Sequence, residues 1–357
     1  MPILQNIVDK VKNNTRISLK EALFLYNSLS LSELILLASQ IKTARFGKKV
    51  FFVQNIHIEP SNYCIYKCKF CSFHRQPNEK DFWDYSFEEI ELSLKKLPQT
   101  IKEIHITGGV HPDKDLNWYK ELIKRIKRIH PQAGIKAFTA IEINFMCKKQ
   151  RISIEEGLTI LKESGLQSLA GGGAEILNDD IRKKLCPEKG RSELWINIHK
   201  LAHSVGIPSN ATMLYGHIET IEQRLEHMEI IRQIQDETRL FQAFIPLKFK
   251  NQYNFLSNIK ETNFVEDIKT FAISRIFLDN IPHIKAYWPM LGRDKAIFLL
   301  HCGVDDFDGT IYDSTKIYTM AGSEEYHPTM TVNEIKQYIL KENFIPVERD
   351  IFYNEIN

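Results

Sequence analysis

The sequence predicts an α/β barrel of the TIM type, complete or partial, with N-terminal helices and a C-terminal extension. Strand-like and helix-like runs alternate from residue 50 onward, which indicates parallel βα units. The chain has 357 residues, a length that a single barrel can occupy. Hydrophobic residues make up 43% of the chain and charged residues 26%, as in ordinary globular proteins.

The segment before the first expected strand is predicted to be helical. In residues 3–46, apolar residues such as Leu34 and Leu37 recur at helical spacing, and Ser18 and Ser30 can serve as N-caps. We expect two or three helices that cover the end or the side of the barrel.

The expected strands are 50–58, 103–107, 135–139, 167–170, 209–213, 241–245, 283–287 and 303–306. The expected helices are 86–97, 115–130, 153–164, 191–205, 219–236, 264–280, 292–301 and 331–343. We therefore divide the chain into an N-terminal helical segment (1–48), a core barrel (49–285) and a C-terminal completion and extension (286–357).

Charge and composition exclude several classes of function. Lys plus Arg number 47 and Asp plus Glu 45, a balance that predicts neither a nucleic-acid nor a membrane partner. We find no signal-peptide pattern and no run of 18 apolar residues, so we expect a cytoplasmic protein. Of the six cysteines, Cys147, Cys186 and Cys302 are scattered and are expected to be ordinary core or surface thiols.

The other three cysteines lie in the segment Cys64-Ile-Tyr-Lys-Cys68-Lys-Phe-Cys71, directly after the first expected strand. Three thiolates can hold three irons of a 4Fe–4S cluster and leave the fourth iron open to a small molecule. With His74 they could instead form a Cys3His zinc site, or they could be structural thiols. Zinc sites usually combine ligands from separate segments, whereas these four lie within eleven residues, so the pattern favours the cluster.

This spacing, with Phe70 at the aromatic position, resembles the radical S-adenosylmethionine superfamily. The resemblance implies that Cys64, Cys68 and Cys71 hold a 4Fe–4S cluster and that S-adenosylmethionine is the cosubstrate. Its amine and carboxylate would bind the open iron, and one electron would release a 5′-deoxyadenosyl radical. A low-potential donor of the flavodoxin or ferredoxin type is implied as a partner.

Further motifs follow later strands, and the resemblance assigns them to the cosubstrate. Gly108 and Gly109 would approach the methionine amino group. Glu175, after three glycines, would accept hydrogen bonds from the ribose or the amine, although an acid at a helix N-terminus is the structural alternative. The adenine would lie along the motif formed by Thr212, Leu214, Tyr215 and Gly216.

Later segments narrow the resemblance to a subgroup of radical enzymes of menaquinone and deazaflavin biosynthesis. Residues 278–288, 303–310 and 346–350 resemble a member that forms a carbon–carbon bond to the adenosyl group. The implied activity adds the 5′-deoxyadenosyl radical to 3-[(1-carboxyvinyl)oxy]benzoate and, after rearrangement and decarboxylation, gives 6-amino-6-deoxyfutalosine. The alternatives are the cyclase of the same route, a deazaflavin-forming synthase, or a non-catalytic zinc or iron–sulfur protein.

The implied substrate is a dicarboxylate aryl enol ether, which needs cations or hydrogen-bond donors at two ends of an apolar slot. Candidates for these contacts, each with a structural role as its alternative, are His57, Arg75, His217, Tyr287 and Arg293.

Other polar segments have no assigned role. Asp305, Asp306 and Asp308 could contact a ligand, position Arg349 or Arg275, or cap helices. The polar segment 251–262 is a candidate lid.

Two short segments depart from the family pattern. Residues 239–240 are Arg-Leu where the family usually has a glycine pair, and residues 313–314 are Asp-Ser where a glutamate pair is usual.

Overall fold

A computed structural model describes residues 2–356. Its strands are β1 (Lys49–Val53), β2 (Asn55–Ile58), β3 (Glu103–Ile106), β4 (Gly134–Ala137), β5 (Leu166–Leu169), β6 (Ser209–Tyr215), β7 (Phe241–Lys248), β8 (His283–Ile284), β9 (Asp306–Gly309) and β10 (Ile345–Glu348). Its α-helices are α1 (Pro2–Lys12), α2 (Leu19–Ser28), α3 (Leu31–Phe46), α4 (Phe87–Lys95), α5 (Leu116–Ile129), α6 (Ala140–Gln150), α7 (Ile154–Ser164), α8 (Asp179–Leu185), α9 (Ser192–Ser204), α10 (Ile221–Thr238), α11 (Phe264–Phe277), α12 (Trp288–Leu291), α13 (Arg293–Phe298) and α14 (Val332–Lys341). Two short 3₁₀ helices span Pro187–Lys189 and Leu299–Cys302.

A seven-stranded parallel sheet in the order β2-β3-β4-β5-β6-β7-β8 forms most of the barrel wall. A second sheet, β10-β1-β9, joins its two edges. The chain of β1 continues into β2 after Gln54, and Lys285, which follows β8, forms a parallel bridge with Asp306 at the start of β9. The expected α/β barrel is therefore confirmed, and its eighth wall strand is β9.

Side chains alternate between the inside of the barrel and the helices that surround it. On β2, β3 and β4, the isoleucines Ile56, Ile104 and Ile135 are buried in the hydrophobic core. Their polar neighbours one residue further on, His57, His105 and Lys136, line a cavity inside the barrel. Period-2 alternation thus sends apolar residues to the helix layer and polar residues inward.

The N-terminal helices pack against the outside of the barrel. Ser18 and Ser30 cap α2 and α3 through reciprocal capping boxes with Glu21 and Glu33, as their sequence positions predict. Helix α3 packs along α11, and Arg45 of α3 donates to backbone carbonyls just after α11. Three helices therefore precede the first strand.

The structure differs from the sequence-based expectations at several elements. Helices α6 and α8 and strand β10 were not anticipated, because short segments without a clear apolar stripe give little periodic signal. The expected strand 303–306 instead spans Asp306–Gly309. Arg239, at one departure from the family pattern, has φ of 58° at the end of α10, the conformation that a glycine would adopt without strain.

No helix among residues 2–356 is long and apolar enough to cross a lipid bilayer.

Candidate active site

A cavity of about 1270 Å³, including its open mouth, occupies the interior of the barrel. Cys71 and Phe70, from the loop after β2, line it together with Glu175, Thr212 and Leu214. Loops at the carboxyl ends of barrel strands are the usual place for active-site groups. The cavity therefore brings one expected cluster ligand and several expected cosubstrate contacts into one space.

The cysteine loop is held at the barrel rim by backbone hydrogen bonds. Val110 donates its amide N–H to Cys64 Sγ at 3.3 Å, and Ile65 donates to the carbonyl of Val110 at 3.0 Å. Lys69 donates to the carbonyl of Leu185, which ends α8. The loop is therefore fixed from two sides before any metal is bound.

Gly108 and Gly109 pack directly beneath this loop and do not line the cavity. A Cβ atom on Gly109 would lie 2.2 Å from the carbonyl oxygen of Tyr63, and one on Gly108 would lie 2.9 Å from that of Ser61. Neither glycine has a positive φ, so close approach of two backbones, rather than conformational freedom, requires them. Their expected contact with the methionine amine remains a prediction.

The donor set fits an iron–sulfur cluster better than a single zinc ion. In the described part of the chain, no three His, Cys, Asp or Glu side chains are placed to hold one metal ion together. A zinc ion would need its ligands to converge on one point, whereas a 4Fe–4S cluster takes each thiolate on a different iron. Cys71, which faces the cavity, would place the cluster beside the space for a small molecule.

Glu175 lines the cavity next to a lysine that sequence reasoning missed. Lys189 Nζ lies 2.6 Å from Glu175 Oε1 and 5.2 Å from the centre of the Phe70 ring. Burial raises the pKa of Glu175, but the Lys189 ammonium outweighs this and holds the carboxyl below its usual range. Glu175 is therefore an ionised acceptor between the cysteine loop and β6.

The expected adenine motif on β6 divides into two parts. Thr212 and Leu214 line the cavity, and Leu214 donates its N–H to the carbonyl of Glu175 at 2.9 Å. Tyr215 is fully buried and donates its hydroxyl to Asp267, outside the cavity. Gly216, with φ of 91°, donates its N–H to Glu219 Oε1 at 2.6 Å and so shapes the turn that follows.

The structure brings two of the five substrate candidates into the cavity. His57 and Tyr287 both line it, with their rings stacked at a centroid distance of 5.9 Å. Burial lowers the pKa of His57 to about 4, so its imidazole is neutral near pH 7.

The other three candidates point elsewhere. Arg75 donates to backbone carbonyls of its own loop, including those of Ser72 and His74. His217 pairs with Glu219 at 2.8 Å. Arg293 binds the carbonyl of Thr329. None of the three lines the cavity, and their expected substrate contacts stay predictions.

Charged residues and two histidines form the bottom of the cavity, which we call the floor. The floor residues are His57, Glu103, His105, Lys136, Lys285 and Asp308. Lys136 Nζ lies 2.8 Å from Glu103 Oε2, and Lys285 Nζ lies 3.3 Å from Asp308 Oδ1. The signal for this set is the alternation of polar with apolar residues in Asn-Ile-His-Ile, Glu-Ile-His-Ile and Gly-Ile-Lys-Ala, which marks strands with a polar inner face.

The three acids after β8 have separate structural partners. Asp305 pairs with the buried Arg275, and Asp306 pairs with the buried Arg349 at 3.0 Å. Asp308, in contrast, faces the cavity. Asp305 and Asp306 therefore position Arg275 and Arg349, which is one of the alternatives that the sequence left open.

The second departure from the family pattern also has a structural position. Ser314 accepts a hydrogen bond from the backbone N–H of His57 at 2.7 Å. Asp313 pairs with His327 at 3.1 Å on the surface. The Ser314 contact ties the segment after β9 to the strand that carries His57.

Comparisons with known proteins agree with this geometry. The profile of the Radical SAM superfamily matches residues 58–231, and that of the CofH/MqnC C-terminal region matches residues 238–357. The structure of methylornithine synthase superposes with a TM-score of 0.75 at 17% identity, covering 95% of this chain and 97% of that one. At that identity the likeness concerns the fold alone.

The chain belongs to the radical S-adenosylmethionine superfamily and is a radical S-adenosylmethionine enzyme. Membership implies a 4Fe–4S cluster, S-adenosylmethionine, a small-molecule substrate and a reductant, and it decides against the non-catalytic alternative.

Among curated relatives, the chain is 41% identical to aminodeoxyfutalosine synthase of Thermus thermophilus, over 99% of this chain and 96% of the relative. It is 38% identical to 5-amino-6-(D-ribitylamino)uracil–L-tyrosine 4-hydroxyphenyl transferase of Methanocaldococcus jannaschii, over 94% of this chain and 96% of that relative. It is 33% identical to cyclic dehypoxanthine futalosine synthase of Streptomyces coelicolor, over 99% of this chain and 89% of that relative.

Proposed function

We propose that this chain is an aminodeoxyfutalosine synthase. It would join the 5′-deoxyadenosyl group of S-adenosylmethionine to 3-[(1-carboxyvinyl)oxy]benzoate and release methionine and carbon dioxide. The observation that carries the proposal is the 41% identity over nearly the whole chain to a synthase of that name. Of the segments that resemble this enzyme, 278–288 contributes Lys285 and Tyr287 to the cavity lining, and 303–310 contributes Asp308.

The proposed ligands of the cluster are Cys64, Cys68 and Cys71. When bound, the cluster and S-adenosylmethionine would supply a carbon-centred adenosyl radical. Phe70, Glu175 and the cavity face of β6 would hold the cosubstrate beside the cluster. Glu175, kept ionised by Lys189, is suited to accept hydrogen bonds from ribose hydroxyls or the methionine amine.

The chain's main contribution to the reaction is positional. A radical reacts with the first partner within reach, so the protein must place the vinyl carbon nearest to the adenosyl C5′ and exclude water. The cavity wall supplies apolar surface for this through Leu214, Ile245 and Leu247. Tyr287 and Tyr318, with ring centroids 5.6 Å apart, add aromatic surface to the cavity lining.

Segment 251–262 covers the cysteine loop. Ser72 donates its hydroxyl to the carbonyl of Gln252 at 2.7 Å, and Phe255 donates its N–H to the carbonyl of Lys69 at 2.9 Å. We propose this segment as the lid, because its movement would open the cluster side of the cavity. A low-potential electron carrier and a cytoplasmic location complete the proposal, since such a cluster needs a reducing compartment.

The test is an anaerobic assay of the reconstituted protein with dithionite, S-adenosylmethionine and 3-[(1-carboxyvinyl)oxy]benzoate, read by mass spectrometry. The expected product has the mass of the adenosyl group plus the substrate, less carbon dioxide and one hydrogen, because the product radical must lose an electron and a proton to become a stable molecule. Cys68→Ala should lose both the absorbance of the cluster and the product, whereas Cys302→Ala, a buried thiol elsewhere, should keep both. Turnover by Cys68→Ala would refute the cluster assignment.

The second candidate is transfer of the 4-hydroxyphenyl group of tyrosine to 5-amino-6-(D-ribitylamino)uracil, because a relative named for that transfer is 38% identical over almost the whole chain. The same assay with 5-amino-6-(D-ribitylamino)uracil and tyrosine separates the two. Free 5′-deoxyadenosine without an adenosyl adduct would favour this alternative.

A further inference from the structure

We infer that the floor of the cavity is a carboxylate-binding subsite in which Lys136, Lys285 and His105 receive the ring carboxylate of the substrate. The inference rests on the proposed function and extends it from a reaction to a binding orientation. Three features of the floor support it: its depth relative to the cluster, two lysines whose carboxylate partners are shared or more distant, and a buried nitrogen without a partner.

The depth of the floor below the cysteine loop determines which of the two substrate carboxylates can reach it. His57, His105 and Lys136 are register partners on three adjacent strands, so they form one row inside the barrel. Cys71 lies in the loop beyond the carboxyl end of β2. The vinyl carbon must lie near the cluster, and the enol carboxylate is bonded to the neighbouring carbon. The ring carboxylate, on the far side of the ether oxygen, therefore points down toward this row.

The lysines of the floor share their counter-charges. Glu103 pairs with Lys136 at 2.8 Å and also contacts Arg349 at 3.3 Å, whose nearer partner is Asp306 at 3.0 Å, so the counter-charge of Lys136 is partly shared. Lys285 is 3.3 Å from Asp308, a looser pair. Burial and the repulsion of Lys285 and Arg349 outweigh the attraction of Glu103 and lower the pKa of Lys136 to about 8. An additional anion would stabilise the charged form.

One polar atom of the floor is unsatisfied. His105 Nε2 is buried and has no hydrogen-bond partner among the described residues. Burial, followed by the proximity of His57, holds the pKa of His105 well below its usual range, so the ring is neutral. A neutral imidazole can donate one N–H to a carboxylate, and leaving a buried polar atom unpaired costs free energy. A ligand oxygen at this position would satisfy it.

The charge balance of the floor predicts how binding depends on pH. The groups that face the histidine row are Glu103, Lys136, Lys285, Asp308 and Tyr287. With the deeper ion pair of Asp306 and Arg349 included, three acids oppose three cations. The ring carboxylate would be a fourth negative charge, so the complex holds its protons more tightly than the empty floor. Affinity should therefore fall as pH rises through about 8, where Lys136 loses its proton in the free enzyme.

Calorimetry on the reconstituted enzyme with S-adenosylmethionine and no reductant tests the inference. The probes are 3-[(1-carboxyvinyl)oxy]benzoate and (1-carboxyvinyl)oxybenzene, which lacks the ring carboxylate. Lys136→Met should weaken binding of the first about 10- to 100-fold and of the second by less than about twofold, the size expected for one lost charged hydrogen bond. Lys42→Met, another buried lysine but outside the cavity, is the matched control and should change neither.

Each result decides the inference. Equal losses for both probes would show that Lys136 is only structural and would overturn it, as would no loss for either probe. Wild-type protein that binds both probes equally would refute the subsite and leave the proposed function standing. Wild-type protein that binds neither probe would refute the proposed substrate, and the subsite with it. If Lys136→Met fails to fold, Lys285→Met and the double variant Glu103→Gln/Lys136→Met are read in the same way.

Discussion

The backbone contact beneath the cysteine loop offers a sharp test of the site's construction. In Gly109→Ala, the new Cβ would start 2.2 Å from the carbonyl oxygen of Tyr63 and 3.1 Å from the carbonyl carbon of Asn62. Favourable contacts begin near 3.5 Å, so the loop must retreat by about 1 Å. Overpacking of this kind costs about 1–3 kcal/mol, and the displaced residues lead directly into Cys64.

Two measurements follow from this reasoning. Urea unfolding of the metal-free protein should show Gly109→Ala to be about 1–3 kcal/mol less stable than wild type. Iron and sulfide content after anaerobic reconstitution should also fall. Gly108→Ala is the graded control, because its Cβ would meet the Ser61 carbonyl at 2.9 Å, and it should lose less of both. Full stability and full iron content in Gly109→Ala would refute the argument that close packing places the loop.

Two further predictions concern charged groups. Arg349→Met should lower the free energy of unfolding by about 3 kcal/mol or more, because it leaves the buried Asp306 without its cation. Arg16→Met, which removes a solvent-exposed ion pair, should cost less than about 1 kcal/mol in the same urea titration, and similar losses for both would contradict the burial argument. In Lys189→Met, the burial of Glu175 loses the largest of the charges that oppose it, so the pKa of Glu175 should rise. S-adenosylmethionine should then bind more weakly as pH falls through neutrality, whereas wild-type binding stays constant; equilibrium dialysis between pH 6 and 8 measures this, and parallel profiles would contradict the role of Lys189.

The wall of the barrel could be predicted because its strands carry strong local signals. The run 50–58 and the segment around Ile104 are apolar, β-branched and separated by helical stretches, so their type is set by neighbouring residues. Closure of the barrel could not be predicted in the same way. It depends on the pairing of β1 with β9 and β10, which lie more than 250 residues further along the chain.

In the candidate site, too, local patterns could be predicted from the sequence and long-range contacts could not. The three cysteines and Phe70 form a local pattern, and the resemblance of that pattern to a known superfamily implies its chemistry. Lys189 and the floor residues are single charges on separate elements, and only the register of neighbouring strands brings His105 beside Lys136. Side-chain direction explains the candidates that do not reach the cavity: Tyr215 follows Leu214 on β6 and therefore points to the opposite face.

The proposed synthase transfers the adenosyl group itself into the product. The experiment that bears on this first supplies S-adenosylmethionine labelled with carbon-13 throughout its adenosine, with dithionite and 3-[(1-carboxyvinyl)oxy]benzoate, and follows the label by mass spectrometry. We expect the labelled adenosine carbons in a covalent adduct that has lost carbon dioxide. Recovery of the label only in free 5′-deoxyadenosine would contradict it.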